Sequence, residues 1–189
     1  NTIKANNVIR GYRGISSAGY GNIFIDNTIR NITGADYNHP GVETGGEYAI
    51  VGSYGAIVKN NTIIDCKIIS TGAGITVIDN SIVENNWVNV TKAGRGIVAA
   101  GSNVVIRNNT VFTEFGSGIY QKDEGSGLWI ENNNVTSLSG VGVLIERLSS
   151  KRMPSNVTVI SNTIKTGNNV AIDASGVQSD TSNIDLDSN

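Results

Sequence analysis

The chain has 189 residues, a net charge of −2, 16% charged residues, 25 Asn, 23 Gly, one Cys and one His. That length suits a single domain with a sizeable core. One Cys excludes a disulfide framework or a Cys-rich zinc site. The charge balance carries no basic footprint for nucleic acid, and no run of 18 apolar residues offers a membrane-spanning helix.

A short pattern recurs along the chain: apolar positions flank a polar pair whose second member is Asn. In order it reads IFIDNTI at 23–29, IVKNNTI at 57–63, IVENNWV at 82–88, VIRNNTV at 105–111, WIENNNV at 129–135 and TVISNTI at 158–164. The key asparagines are Asn27, Asn61, Asn86, Asn109, Asn133 and Asn162. The first copy is open to two readings. NTI at 1–3 continues the pattern with Asn1, and IKANNVI at 3–9 fits with the bend at Asn7. A second marker, a small residue before a β-branched one, lies between the copies at Gly14-Ile15, Ala49-Ile50, Gly74-Ile75, Gly96-Ile97, Gly118-Ile119, Gly142-Val143 and Ala171-Ile172. Two markers in one register, at a period near 24 residues, mark a solenoid.

The apolar positions three before and two after each Asn are mostly β-branched, which suits half-buried strands. The polar pair between them predicts a sharp bend, because Asn tolerates a left-handed backbone. Each repeat then holds three short strands: before the Asn, after it, and at the Gly-Ile marker. The predicted fold is all-β, a right-handed single-stranded parallel β-helix of about seven three-strand rungs stacked about 4.8 Å apart. One domain is expected over residues 1–189, as a piece of a longer chain. Loop insertions are expected at 30–48 and 146–156. Cys66 is expected as a buried free thiol.

The N-N-T-I and G-I pattern resembles the parallel β-helix repeat of pectate-lyase-like enzymes, phage tailspikes and archaeal or bacterial surface adhesin-like proteins. The resemblance covers nearly the whole chain. It implies that the bend asparagines form an internal ladder, that the protein is extracellular or on the cell surface, and that its partner is a polysaccharide or cell-surface glycan. Six N-x-S/T sequons fit an exported chain, at Asn31, Asn60, Asn89, Asn108, Asn134 and Asn156. Asn60 and Asn108 belong to the bend motif, which generates sequons by itself.

Both insertions border the Gly-Ile strand. Its residue minus one is Gly or Ala in all seven rungs, which either leaves a low outer trough for an extended polymer or serves the adjacent turn. Charged residues gather toward the C-terminal end of this strand's column. Lys122 and Asp123 stand three and four residues past one marker, Glu146 and Arg147 hold the same offsets one rung later, and Asp173 follows the next marker. Carboxylates about 5–10 Å apart suit glycosidic hydrolysis, and a Lys or Arg base suits a lyase or epimerase. Asp123, Glu146, Asp173, Lys122 and Arg147 are therefore the catalytic candidates. The same offsets also suit a pairing of Lys122 with Glu146 and of Asp123 with Arg147. Tyr120, His39, Tyr37, Tyr54 and Arg152 are the expected glycan contacts. No metal-ligand spacing is present and no cofactor is implied. Calcium is the one ion that Asp36, Glu43 and Glu47 of the first insertion would suit.

Three functions follow. The first is a polysaccharide-binding or adhesin-like surface β-helix. The second is a polysaccharide lyase, glycoside hydrolase or epimerase with a groove on the Gly-Ile face. The third is an oligomeric shaft or phage-type spike, with outward Val51, Val98 and Leu144 packing between copies.

Overall fold

In the computed structural model, residues 1–11, 14–32, 48–68, 72–92, 94–122, 125–146, 154–167, 170–175 and 184–185 are described. All the regular structure among them is strand, and it falls into three parallel sheets. The first sheet stacks β1 (Thr2–Lys4), β4 (Ile23–Ile25), β7 (Ile57–Lys59), β10 (Ile82–Glu84), β13 (Val105–Arg107), β16 (Trp129–Glu131), β19 (Val157–Ile160) and β22 (Ile184–Asp185). The second stacks β2 (Asn7–Gly11), β5 (Thr28–Ile32), β8 (Thr62–Lys67), β11 (Trp87–Thr91), β14 (Thr110–Thr113), β17 (Asn134–Ser137) and β20 (Thr163–Thr166). The third stacks β3 (Ile15–Ser16), β6 (Tyr48–Val51), β9 (Ala73–Val77), β12 (Arg95–Ala99), β15 (Ile119–Gln121), β18 (Val143–Ile145) and β21 (Ile172–Asp173). Each strand pairs with its equivalent one rung away, so the chain coils as the repeat predicted: a right-handed parallel β-helix of about seven rungs.

The strands are short because each must turn into the next sheet after a few residues. Alternation then sends one column of the first sheet inward and more than one of the second and third, whose strands are longer or begin inward. Phe24, Val58, Val83, Ile106, Ile130 and Val159 stack inside the first sheet, and Ile29, Ile63, Val88, Val111 and Val135 inside the second. Ile50, Ile75, Ile97, Ile119 and Val143 stack inside the third. These side chains are essentially solvent-free, and full burial of each stabilises by about 1.5–3 kcal/mol.

The bend between the first and second sheets divides its work between two adjacent residues. Ala5, Asp26, Asn60, Asn85, Asn108, Asn132 and Ser161 take φ of 54–56°, the left-handed region. The residue after each points its amide inward. Asn27 Nδ2 donates to Asn61 Oδ1 (2.9 Å), Asn61 Nδ2 to Asn86 Oδ1 (3.0 Å), and the chain continues through Asn109 and Asn133 to Asn162. Backbone N–H groups of the same residues donate to the same oxygens. The ladder's first member corrects the sequence reading. It is neither Asn1 nor Asn7 but Asn6, which donates to Asn27 Oδ1 through both its backbone N–H and Nδ2. The reason is register: Ile3 pairs with Phe24, which places Ile3 before the bend and Val8 after it.

A second left-handed column escaped the sequence reading. Gly21, Gly55, Asn80, Asn103, Gly127 and Asn156 take φ of 51–70° at the corner between the third and first sheets. Each stands six residues before a ladder Asn, and each is Gly or Asn, the residues that tolerate this backbone.

Candidate functional site

The small-residue column of the third sheet does not form an outer trough. Gly74, Gly96, Gly118 and Gly142 are buried. A Cβ on Gly96 would overlap Val111 Cγ1 and the Gly118 carbonyl, and one on Gly118 would overlap Val135 Cγ1. These positions face inward, where the third sheet starts close against the second. The glycines let the two walls approach, and the trough expectation is replaced on this steric ground.

The outward column of this sheet is the residue after the marker: Ser16, Val51, Thr76, Val98, Tyr120, Leu144 and Asp173 in register. Val98 and Tyr120 point away from the interior yet are 5% and 3% exposed. They pack with Ala73, and Tyr48, Ala100 and Leu144 close around them as a small satellite cluster. Val98 is thus covered within its own chain, which removes it as a free oligomer contact, whereas Leu144 stays half-buried.

At the centre lies a set spanning three rungs. The Arg95 guanidinium sits 4.2 Å from the centroid of the Tyr120 ring, a favourable cation–π arrangement. The Tyr120 hydroxyl donates to Glu146 Oε2 at 2.6 Å, the short length of a charge-assisted bond. With Arg95 over its face and 3% exposure, the ring organises its neighbours rather than offering a stacking surface. Glu146 therefore bonds the phenol and does not pair with Lys122. Lys122 is exposed at the end of the same strand, and its backbone N–H donates to the Ala99 carbonyl. Beside it Gln121 is fully buried on the inner side, with Oε1 lacking a hydrogen-bond partner among the described residues.

Asp173 stands one rung beyond Leu144 on the outer column. The Ser175 backbone N–H bonds its Oδ1 at 3.0 Å. Bonds from Ser175 backbone and side chain hold the Asp173 carboxyl below the ordinary carboxylate range, so it favours the ionised form over the role of acid. Tyr54 lies elsewhere, exposed near the corner between third and first sheets, with its ring 5.4 Å from that of Tyr20. Asp123, Arg147, His39, Tyr37 and Arg152 lie outside the described residues, as do Asp36, Glu43 and Glu47. Among the described residues no group of three or more His, Cys, Asp or Glu could hold a metal ion. Cys66 is buried in the core, and burial pushes its thiol up to about 11. It is therefore a thiol, not a thiolate, near neutral pH.

Marker offsets placed Lys122, Glu146 and Asp173 along one side of the third sheet; the structure bonds Glu146 to Tyr120 and Asp173 to Ser175. Arg95 was missed. It stands two residues before Ile97, one rung from Tyr120, in a column that reads Arg13, Tyr48, Ala73, Arg95, Ser117, Val141 and Val170 in the sequence. Two consecutive inward residues at the marker break strict alternation, so residues two before and one after it share the outer side.

The comparison with curated proteins and the comparison with solved structures each returned no match. A family model described as "Right handed beta helix region" matches residues 68–189. That span is more than half of the chain and contains β9–β22, whose parallel stacking is the family's architecture. By sequence and by coil, the chain belongs to the right-handed β-helix family.

Proposed function

We propose that this chain is an extracellular or cell-surface β-helix that binds an extended polysaccharide along the outer side of its third sheet without cleaving it. The observation that carries the reading is the set of Arg95, Tyr120 and Glu146, fixed across three successive rungs. Charged and polar groups held at a regular axial spacing suit a polymer of repeating polar units, and groups ordered beforehand lose little entropy on binding. Exposed Lys122 and half-buried Asp173 extend the polar row. Non-catalytic binding is favoured over hydrolysis because the two described carboxylates are poorly suited to act as an acid–base pair. Glu146 is engaged by a phenol, and Asp173 is held ionised. Glycosidic hydrolysis needs one of two such groups protonated.

The test is affinity electrophoresis against neutral and acidic polysaccharides, with new reducing ends and unsaturated uronate products followed in parallel. Retardation by at least one polymer without product formation is expected, with Lys122→Ala plus Glu146→Ala weakening it by roughly tenfold. Product release by the purified chain would establish an enzyme instead, and no retardation by any polymer would remove the binding role.

A further inference from the structure

The outer side of the first sheet carries two parallel columns. One is apolar: Ile23, Ile57, Ile82, Val105 and Trp129, followed by Thr158. The aliphatic members are half-buried by their sheet neighbours, and Trp129 is 43% exposed. The other column, two residues along each strand, reads Ile25, Lys59, Glu84, Arg107, Glu131 and Ile160. Within the chain, Lys59 and Arg107 bond Glu84 from either side at 2.8 and 2.7 Å. Bonds from Lys59 and then Arg107 hold the Glu84 carboxyl below the ordinary range. Trp129 Nε1 donates to Glu131.

This pattern is self-complementary in one arrangement. A two-fold axis parallel to the strands, passing between β10 and β13, reverses the rung order and leaves the strand direction unchanged. It lays charged column on charged column and apolar column on apolar column. Glu84 then faces Arg107 of the second copy, Lys59 faces Glu131, and Ile25 faces Ile160. In the other column Ile82 faces Val105, Ile57 faces Trp129, and Ile23 faces Thr158. Shifting the axis by half a rung, onto β10, sets Lys59 against Arg107 and Glu84 against itself. The opposite shift, onto β13, sets Glu84 against Glu131 and Arg107 against itself. An axis along the helix, through the inward column, lays charges on the apolar column. Lys4 begins the same column, beside Ile25. The register between β10 and β13 sets unlike charges together at all four positions from Lys59 to Glu131. A shift of one rung, to between β7 and β10, pairs Lys59 with Glu84 and Lys4 with Glu131 but leaves Arg107 facing Ile25. Charge matching thus favours the first register. A two-fold interface requires this kind of self-complementarity.

We infer that the first sheet is the interface for a second copy of this chain, forming an antiparallel two-fold dimer centred between β10 and β13. The strip is narrow beside an average specific interface, so the dimer is expected to be a weak one that forms with rising concentration.

Sedimentation equilibrium from micromolar to millimolar chain should show a monomer–dimer transition that weakens with added salt. Val105→Asp, at the centre of the strip, should weaken it at least tenfold while leaving the circular dichroism of the monomer unchanged. Register is read separately in a Cys66→Ala background. Ile57→Cys chains mixed with Trp129→Cys chains should couple through a short bismaleimide, whereas Ile57→Cys chains alone should not couple to one another. A monomer throughout the concentration range overturns the inference, and so does a dimer indifferent to Val105→Asp. Coupling of Ile57→Cys with itself would overturn the antiparallel register.

Discussion

Asn85 and Asn86 are neighbours of the same type with different duties. Asn85 is exposed and supplies a left-handed φ of 56°. Asn86 is 2% exposed, and its whole amide is engaged. Its Nδ2 donates to Asn109 Oδ1, the Val58 carbonyl and the Glu84 carbonyl, while its Oδ1 accepts from the backbone N–H and Nδ2 of Asn61. Asn86→Ala strands donors on Asn61 and acceptors on Asn109 and Val58, which should cost about 2–4 kcal/mol in urea unfolding. Asn86→Asp keeps the acceptor but loses the donor and buries a charge, so it should be no better at neutral pH. Asn85→Gly should be within about 0.5 kcal/mol of the parent, since glycine takes positive φ freely. An equal loss at both positions would refute the division of duties. The sequence announced both asparagines, because the dipeptide recurs. The second member is Asn in every copy, and the repeat with its family resemblance placed Asn86 and its equivalents in the ladder, as the structure has them. Only the first copy was ambiguous in register, which put its start at Asn1 or Asn7 instead of Asn6.

At the level of the strand, Gly96 in β12 and the equivalent marker glycines stand where two walls meet. Gly96→Ala should destabilise by about 1–3 kcal/mol, because the added methyl meets both Val111 and the Gly118 carbonyl. Val111→Ala in the same chain should recover only part of this loss, since the carbonyl stays. Thermal unfolding of the single and double variants checks both statements, and full recovery would show that the backbone contact is unimportant. The small-residue column was plain in the sequence, yet its direction was not. Alternation predicts that the residue before an inward Ile faces outward. The corner entering the third sheet breaks that rule, turning Gly96 and Ile97 inward together and leaving Arg95 beside Tyr120. Candidate-site residues on regular strands were therefore legible by offset. The one residue displaced by a corner was not.

Across the whole molecule, every rung contacts chiefly its two neighbours, so stability should grow nearly additively with rung number. A chain with residues 86–108 repeated once between Asn108 and Asn109 should fold, lengthen by about 4.8 Å along the axis, and unfold with a larger urea dependence. Small-angle scattering and urea titration measure these changes, and an aggregated or unfolded product would show that rungs are not interchangeable. The coil itself was readable because its two markers keep register through both insertions. The left-handed corner at Gly21, Gly55, Asn80, Asn103, Gly127 and Asn156 was not read, since Gly and Asn share the position and neither holds it in every rung.

That corner stands six residues before the ladder asparagine in each of these rungs, and the first sheet occupies the interval. Length varies only in the remainder of each turn. The molecule thus keeps a conserved gauge on one flank and a variable margin on the other. A length change outside the six-residue interval leaves the first sheet's spacing as it is, so anything that recognises that sheet meets the same lattice of side chains.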